Sequence, residues 1–347
     1  MKKILFLLLC AFFMTGCAVY SVDKNDLDIL TLFSSKSNSK NRVWVGTFQL
    51  VFNDMKNEIL KLNKVEFMGE NLTEELEGLN KSEFNSSMLN PETYYKSYGK
   101  TSPKAKEKIE NDLLEKFNEK SDLIDSLDWS EGNGRYYAYA MLKKEFEFLK
   151  EFDKLEPQKF NNSEKKYNFF GIKKSSFDTL KSNVNVLFYN NEDSFAVQLP
   201  TKNDDIVYLY RTDSFDSFDK IYNQMITDYK NYNGLSKLEE ADTFKAPNLK
   251  FKSIRRYDEL CNKIIKGTDG YYFSDALETI QFEMDNKGGK IKSEAIIMLD
   301  NAMAVFDKPK TPRHFDFDKT FVLFLVDKNK ENPYFALRVA DLENLNK

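Results

Sequence analysis

The clearest alternation of apolar and polar positions lies between residues 280 and 326. Ile280, Phe282 and Met284 alternate with polar residues, which predicts a strand with one apolar face. Lys287-Gly288-Gly289 then interrupts this strand with two residues that can take a positive φ.

The alternation resumes after the two glycines. One set of positions is small or apolar: Ile291, Ser293, Ala295 and Ile297. The positions between them include the charged residues Lys290, Lys292 and Glu294. This pattern fits either a solvated loop or a strand with an acceptable inner face. The dense apolar run from Phe317 to Val326 then predicts a buried strand.

The rest of the chain predicts strands and helices in mixed order. These elements are a strand that runs into a helix over Val43–Met55, a helix that begins at Ser102-Pro103, a strand over Arg135–Leu142, three short strands within Val184–Leu209, a helix over about Phe215–Tyr229, and a strand leading to a small helix over Pro247–Leu260. The helix after Ser102 has an apolar stripe formed by Ile109, Leu113, Phe117, Ile124 and Leu127. Its other face is charged, so we expect it to cover a sheet from outside.

The N-terminus has the features of an export signal. Lys2-Lys3 precedes an apolar run from Ile4 to Phe13, which is shorter than the roughly 20 residues that a membrane-spanning helix needs. Met14-Thr15-Gly16-Cys17 resembles a bacterial lipobox, which would make Cys17 the acylated first residue of the mature chain. The alternative is an ordinary secretory signal with an incidental cysteine. We predict a lipoprotein signal over residues 1–16, a lipid-anchored tether over 17–41, and a folded domain over 42–347.

Charge and cysteine content agree with simple export. The net charge is −4, and it becomes −6 when Lys2 and Lys3 leave with the signal. A mildly acidic product without a basic stripe is a poor nucleic-acid binder. Cys10 lies in the signal and Cys17 would be lipidated, so Cys261 is left alone and we expect no disulfide within the chain.

The sequence lacks the residues that most catalytic sites require. His314 is the only histidine, in a segment that we interpret as a loop, and a Ser-His-Asp or Cys-His mechanism would have to use it. The chain has too few histidines and cysteines to build a metal site from them. The carboxylates lie mostly in mixed Lys/Glu runs that indicate solvated helix faces. We therefore expect neither an enzyme nor a cofactor.

Several short motifs, taken in order, resemble those of the serpin family. Asn286-Lys287-Gly288 is similar to the serpin hinge, and the segment from Phe317 to Phe321 is similar to the element after the reactive loop. The segment from Tyr334 to Val339 is similar to the family's C-terminal motif. The sequence departs from the family at Asn286, where an acid is usual, at Thr320 in place of proline, and at Leu337 in place of glycine.

The resemblance implies a single α+β domain with a large mixed sheet, packed helices and an exposed reactive-type loop. It also implies a loop hinge formed by Asn286, Lys287, Gly288, Gly289, Ile291, Ser293, Ala295 and Ile297. Counting from Gly288 as in the family places the reactive bond near Ala302-Met303. Because the loop is long, other residues stay open as the cleaved position: Met298, Lys308, Lys310 and Arg313.

Two functions follow from this resemblance. The first is a suicide-substrate inhibitor, in which a target protease cuts the loop and the loop then inserts into the sheet. The second is a non-inhibitory surface lipoprotein that keeps the fold for binding or a structural role. In both cases we expect a monomer that is held at a membrane by its lipid anchor.

Overall fold

The computed structural model describes residues 27–132, 134–292 and 312–346. The strands in chain order are β1 (Asp28–Leu30), β2 (Arg42–Val45), β3 (Tyr94–Lys100), β4 (Tyr136–Leu142), β5 (Lys144–Glu147), β6 (Asp153–Lys159), β7 (Lys166–Gly171), β8 (Asn185–Asn191), β9 (Ser194–Pro200), β10 (Asp205–Arg211), β11 (Thr243–Pro247), β12 (Leu249–Arg256), β13 (Leu277–Met284), β14 (Gly288–Ile291), β15 (His314–Asp316), β16 (Phe321–Asp327) and β17 (Phe335–Val339). The α-helices are α1 (Thr47–Asp54), α2 (Glu74–Lys81), α3 (Pro103–Phe117), α4 (Phe177–Leu180) and α5 (Phe218–Asn231). Within these ranges, no helix combines the length and the apolar character needed to cross a bilayer.

The largest sheet has seven strands in the order β1-β2-β17-β16-β10-β9-β8. Every residue of β10, β16 and β17 is buried, as expected for strands that are covered on both faces. The predicted strand over Phe317–Val326 is confirmed, although it begins only at Phe321. Phe317 instead continues the pairing of β15 with β11, since its amide donates to the carbonyl of Lys245 at 2.9 Å, and a bend follows at residues 318–319.

Two further sheets border the candidate site. β12-β13-β14-β5 is one ladder and β3-β4 is another, and the chain passes directly from β4 to β5 through Lys143. A separate four-stranded sheet has the order β15-β11-β7-β6. The mixed α+β architecture and the strands predicted at Arg135–Leu142 and within Val184–Leu209 are confirmed.

Helix α3 covers β3 and β4 from the front, as its apolar stripe predicted. Ser102 caps it by accepting a hydrogen bond from the amide of Ala105 at 3.0 Å, and Pro103 occupies its first turn. Ile109 and Leu113 pack against aromatic and aliphatic side chains of β4 and of the chain after the helix. The predicted continuation of this helix through Ile124 and Leu127 is wrong. Asn118 takes a left-handed conformation at the C-terminus, and Ile124 lies in a separate single turn.

Part of the predicted tether belongs to the folded domain. β1 pairs in parallel with β2, and Leu27, Ile29 and Leu30 are buried. An apolar patch of this size gains more from packing on the sheet edge than from lying in solvent, so residues 27–41 belong to the folded domain and not to a tether. The rest of the tether, including Cys17, and the signal lie outside the described residues.

His314 is not in a loop. It begins β15, which pairs in parallel with β11, and its Nδ1 lies 3.1 Å from the Thr243 hydroxyl. The side chain is half-buried, and its partner Thr243 is the residue opposite it in the β15–β11 pair.

Candidate functional site

The candidate site begins at β14, which we call the hinge strand. It lies between β13 and β5 and is antiparallel to both. Ile291 is opposite Phe282 on one side and opposite Lys144 on the other. A strand with neighbours on both sides has its backbone hydrogen-bonding groups matched in both directions, so the hinge strand is an internal part of the sheet.

The two glycines of the hinge strand are required by the close approach of its neighbours. A Cβ atom on Gly288 would lie 2.0 Å from the carbonyl oxygen of Phe146. A Cβ atom on Gly289 would lie 2.5 Å from the carbonyl oxygen of Glu283. Neither backbone atom can give way easily, so no larger residue fits here without displacing the strand.

The turn before the hinge strand is tied to the segment that follows β5. Asn286 is buried, and its Nδ2 donates to Oε1 of Glu151 at 2.6 Å and to the carbonyl of Phe152 at 3.2 Å. Its own carbonyl accepts from the amide of Phe152 at 2.8 Å, and the carbonyl of Lys287 accepts from the amide of Phe148 at 2.9 Å. The buried asparagine thus has hydrogen-bond partners for both its side-chain amide and its backbone carbonyl.

Side chains of the hinge strand alternate between the two faces of the sheet. Ile291 is fully buried on the inner face, among the main core residues. Lys290 points to the outer face and pairs with Glu283 at 3.3 Å. Lys292 also lies on the outer face, where its Nζ is 3.2 Å from Oε2 of Glu119.

Beyond Lys292 a cleft lies between β4, of the two-stranded sheet, and residues 277–281 of β13, of the four-stranded sheet. In the described part of the chain, no strand pairs with the side of β4 that faces away from β3. The corresponding side of β13 below Gln281 likewise has no described partner strand. The cleft contains a cavity of about 50 Å³, whose lining comes from α1 behind, from the chain after α3 in front, and from β4 and β13 at the sides: Thr47, Phe48, Val51, Ser121, Asp122, Leu123, Tyr139, Ala140, Met141, Leu142, Leu277, Glu278, Thr279 and Lys292.

Glu278 is the buried acid at the back of this cleft. Its Oε1 accepts from the Thr47 hydroxyl at 2.9 Å and its Oε2 accepts from the Tyr257 hydroxyl at 2.7 Å. Burial raises the pKa of Glu278 to about 7, although both hydroxyls, the nearby Arg255 and the amide of Phe48 favour the charged form. The carboxyl therefore joins β13 to the first turn of α1 and titrates near neutral pH.

A second buried cluster fixes β5 to the seven-stranded sheet. The Nζ of Lys144 lies 2.6 Å from Oδ1 of Asp205 and 3.3 Å from Oδ2 of Asp327. Tyr334 donates to the same Asp205 oxygen at 3.0 Å. Burial raises the pKa of both aspartates, and the attraction of Lys144 opposes that rise. Because the backbone of Lys144 also pairs with Ile291, the cluster holds the neighbour of the hinge strand in place.

The residues predicted from the sequence fall into two groups. Asn286, Lys287, Gly288, Gly289 and Ile291 lie together in the hinge strand and the turn before it. The others lie outside the described residues: Cys17, Ser293, Ala295, Ile297, Ala302 and Met303.

Arg313, one of the alternatives for the cleaved position, is held against the domain. Its guanidinium lies 2.7 Å from Asp242 Oδ2 and also donates to the carbonyls of Leu235 and Lys237. Its side chain is 12% exposed, so it is not presented to a protease.

Sequence reasoning missed Glu278, Glu119 and Lys144. Glu278 had a usable signal, because it interrupts the apolar face that Ile280, Phe282 and Met284 share on β13. Lys144 and Glu119 had no such signal in the sequence, because their ion-pair partners lie on elements that are distant in the sequence.

Comparison of the structure with solved structures finds serpins. The structure of Serpin48 from the insect Tenebrio molitor has 13% sequence identity and a TM-score of 0.40, over 87% of this chain and 75% of that one. Cleaved Serpin 42Da has 14% identity and a TM-score of 0.46, over 84% and 80%. Human thyroxine-binding globulin, solved with its thyroxine ligand, has 10% identity and a TM-score of 0.42, over 88% and 76%.

No protein-family model matches the sequence, and no curated protein is similar to it at a significant level. The likeness to the solved structures is one of fold alone. The mixed α+β architecture is the one that the sequence predicted, and these solved structures, at TM-scores below 0.5, are what it is similar to.

Proposed function

We propose that this chain is a membrane-anchored extracytoplasmic lipoprotein that inhibits a protease by inserting its cleaved loop into the sheet. The single observation that carries the proposal is the position of the hinge strand. It already lies between β13 and β5, and a cleft continues directly below its end. The chain itself performs no catalysis in this role. The protease cuts the loop, and insertion of the cut loop then holds the protease in a stable complex.

The register of the hinge strand predicts where the next residues would pair. Because Ile291 is opposite Phe282 and Lys144, continued insertion would place Ser293 between Ile280 and Leu142. Ala295 would then lie between Glu278 and Ala140 on the same inner face. Both are small enough for a narrow inner face.

The energy for such a step would come from sheet completion. Each inserted residue gains ladder hydrogen bonds, and each large apolar side chain that becomes buried contributes roughly 1.5–3 kcal/mol. The intact molecule would therefore store free energy that is released when the loop is cut.

The decisive experiment offers purified proteases to the protein and looks for a covalent complex that survives SDS. The account expects such a complex for at least one protease, with the cut between residues 293 and 311. Cleavage in that window by every protease tested, without any stable complex, would contradict inhibition and leave the binding role.

The second candidate is a non-inhibitory surface lipoprotein, and one observation favours it. The front of the cleft is covered by the chain that follows α3, with Ser121, Asp122 and Leu123 among the lining residues. A cover of this kind opposes rapid insertion. In a non-inserting protein, the cut loop would add no new contacts.

The anchor is tested separately from the inhibitory role. Replacing Cys17 with serine should release the protein from the membrane fraction, because acyl chains provide the lasting attachment. An unchanged distribution of the Cys17→Ser variant between membrane and soluble fractions would contradict the lipoprotein assignment.

A further inference from the structure

The chain that follows α3 crosses the front of the sheet at the level where the hinge strand ends. We call residues 118–126 the crossing segment. It begins at Asn118, whose left-handed conformation ends α3, and it is anchored at its far end by the buried side chain of Ile124. The indole of Trp129 donates to the carbonyl of Ile124 at 2.7 Å, which fixes that anchor.

Two carboxylates of the crossing segment connect it to two separate places, the β4–β5 junction and β12. Glu119 pairs with Lys143, at the junction of β4 and β5, at 3.2 Å. Asp122 pairs with Lys252 of β12 at 2.8 Å. The segment therefore spans the outer face of the sheet from one side of the hinge strand to the other.

Lys292 lies between these two attachments. Its Nζ is 3.2 Å from Oε2 of Glu119, 3.8 Å from Oδ2 of Asp122, and 3.3 Å from the carbonyl oxygen of Lys120. Its side chain is 17% exposed, so these contacts are partly shielded from solvent. The pKa of Glu119 is below its usual value because Lys292 and Lys143 together outweigh the effect of partial burial.

We propose that Glu119 and Asp122 form an ionic latch that keeps the hinge strand in the sheet of the intact protein, with Lys292 as the residue they bind. A partly buried lysine at the end of an internal strand destabilises the docked strand unless opposite charges on the outer face compensate its own charge. Here the compensating charges come from the crossing segment and not from the sheet. The latch therefore sets how firmly the end of the hinge strand is docked, and it rests on the hinge role assigned under the proposed function.

Lys290 provides a matched control on the same strand and the same face. Its partner Glu283 belongs to the neighbouring strand β13, so its loss leaves the crossing segment unaffected. The latch account thus predicts different outcomes for two lysines that are two residues apart.

The test is hydrogen exchange of the intact, uncut protein, measured by mass spectrometry on peptides covering residues 286–292 and 118–126. In Lys292→Ala, both peptides should exchange roughly three- to tenfold faster than in the wild type, as expected for loss of a half-buried ion pair. In Lys290→Ala, the peptide 118–126 should exchange as in the wild type. Lys292→Arg should restore protection, because the guanidinium can still bind both carboxylates.

Ionic strength gives a second readout. Raising the salt from 0.1 M to 1 M shortens the screening length from about 10 Å to about 3 Å. Exchange of the 286–292 peptide should accelerate more in the wild type than in Lys292→Ala, which keeps the Lys290–Glu283 pair but has lost the latch.

The proposal is overturned if Lys292→Ala exchanges like the wild type, or if Lys290→Ala loosens the crossing segment to the same extent. These measurements use uncut protein, so their outcome is separate from that of the inhibitory role. If Lys292→Ala loosens both peptides but the protein forms no stable protease complex, the latch proposal stands and the inhibitor assignment fails.

Discussion

Glu278 offers the sharpest quantitative prediction, because its pKa connects the cleft to stability. The substitution is Glu278→Gln, which removes the charge and keeps the shape. Glutamine can still accept from one of the hydroxyls of Thr47 and Tyr257 and donate to the other, since both hydroxyls can rotate. The variant should therefore fold.

The magnitude follows from the pKa. Burial raises the pKa of Glu278 from 4.5 to about 7, which corresponds to about 3 kcal/mol at roughly 1.4 kcal/mol per pKa unit. Because the folded-state pKa is the higher one, the stabilising contribution is fully present below pH 4.5 and is lost as the pH rises to about 7. Above that pH the wild type carries the full cost of a buried charge, and the variant does not.

The assay is urea unfolding of both proteins between pH 4 and pH 9. The free energy of unfolding of the variant minus that of the wild type should rise by about 3 kcal/mol between pH 4.5 and pH 8. A difference that is constant with pH would refute the reasoning.

Glu283→Gln is the matched control on the same strand. Glu283 lies on the outer face and pairs with Lys250 at 2.8 Å and Lys290 at 3.3 Å, and these lysines lower its pKa although partial burial opposes them. Its contribution has the opposite sign, present above pH 4.5 and lost as the pH falls. We expect a small loss of stability at neutral pH, below about 1 kcal/mol because the pair is exposed, and no loss in acid.

Three further predictions follow from the site. Gly288→Ala should expel the hinge strand, because the added methyl group would lie 2.0 Å from a backbone carbonyl of β5; limited proteolysis should then cut the variant, but not the wild type, at residues 286–292. Lys144→Met should lower the free energy of unfolding at neutral pH by about 3–5 kcal/mol, since Asp205 and Asp327 would be left buried without their cation, and urea unfolding at pH 4 should show a smaller loss. Cys17→Ser should abolish incorporation of labelled palmitate, which the wild type should show.

The fold was predictable to the extent that local patterns determine it. The alternation at Ile280, Phe282 and Met284, the capped start of α3 at Ser102, and the buried run around Phe321–Val326 all depend on residues close together in the sequence. The failures have a physical cause as well. The helix after Ser102 was extended too far because an apolar stripe does not show where a residue such as Asn118 takes a left-handed conformation.

The site was predictable only in part. Gly288 and Gly289 mark a special backbone position in any sequence, and their role could be anticipated. The electrostatics could not, because Glu119, Lys144 and Glu278 have partners on distant elements. The sequence shows Lys290 and Lys292 only as charged positions between small and apolar ones, whereas the structure supplies an acidic partner for each of them.

The central claim is that the loop after the hinge strand completes the sheet when it is cut, and differential scanning calorimetry of intact and loop-cleaved protein tests it most directly. The account predicts that the cleaved form melts well above the intact form. Ser293→Arg should abolish this rise, because a long charged side chain would have to enter the buried inner face, and Glu294→Arg should preserve it, because that side chain would face outward. A cleaved wild-type protein that melts at or below the temperature of the intact protein would contradict the account.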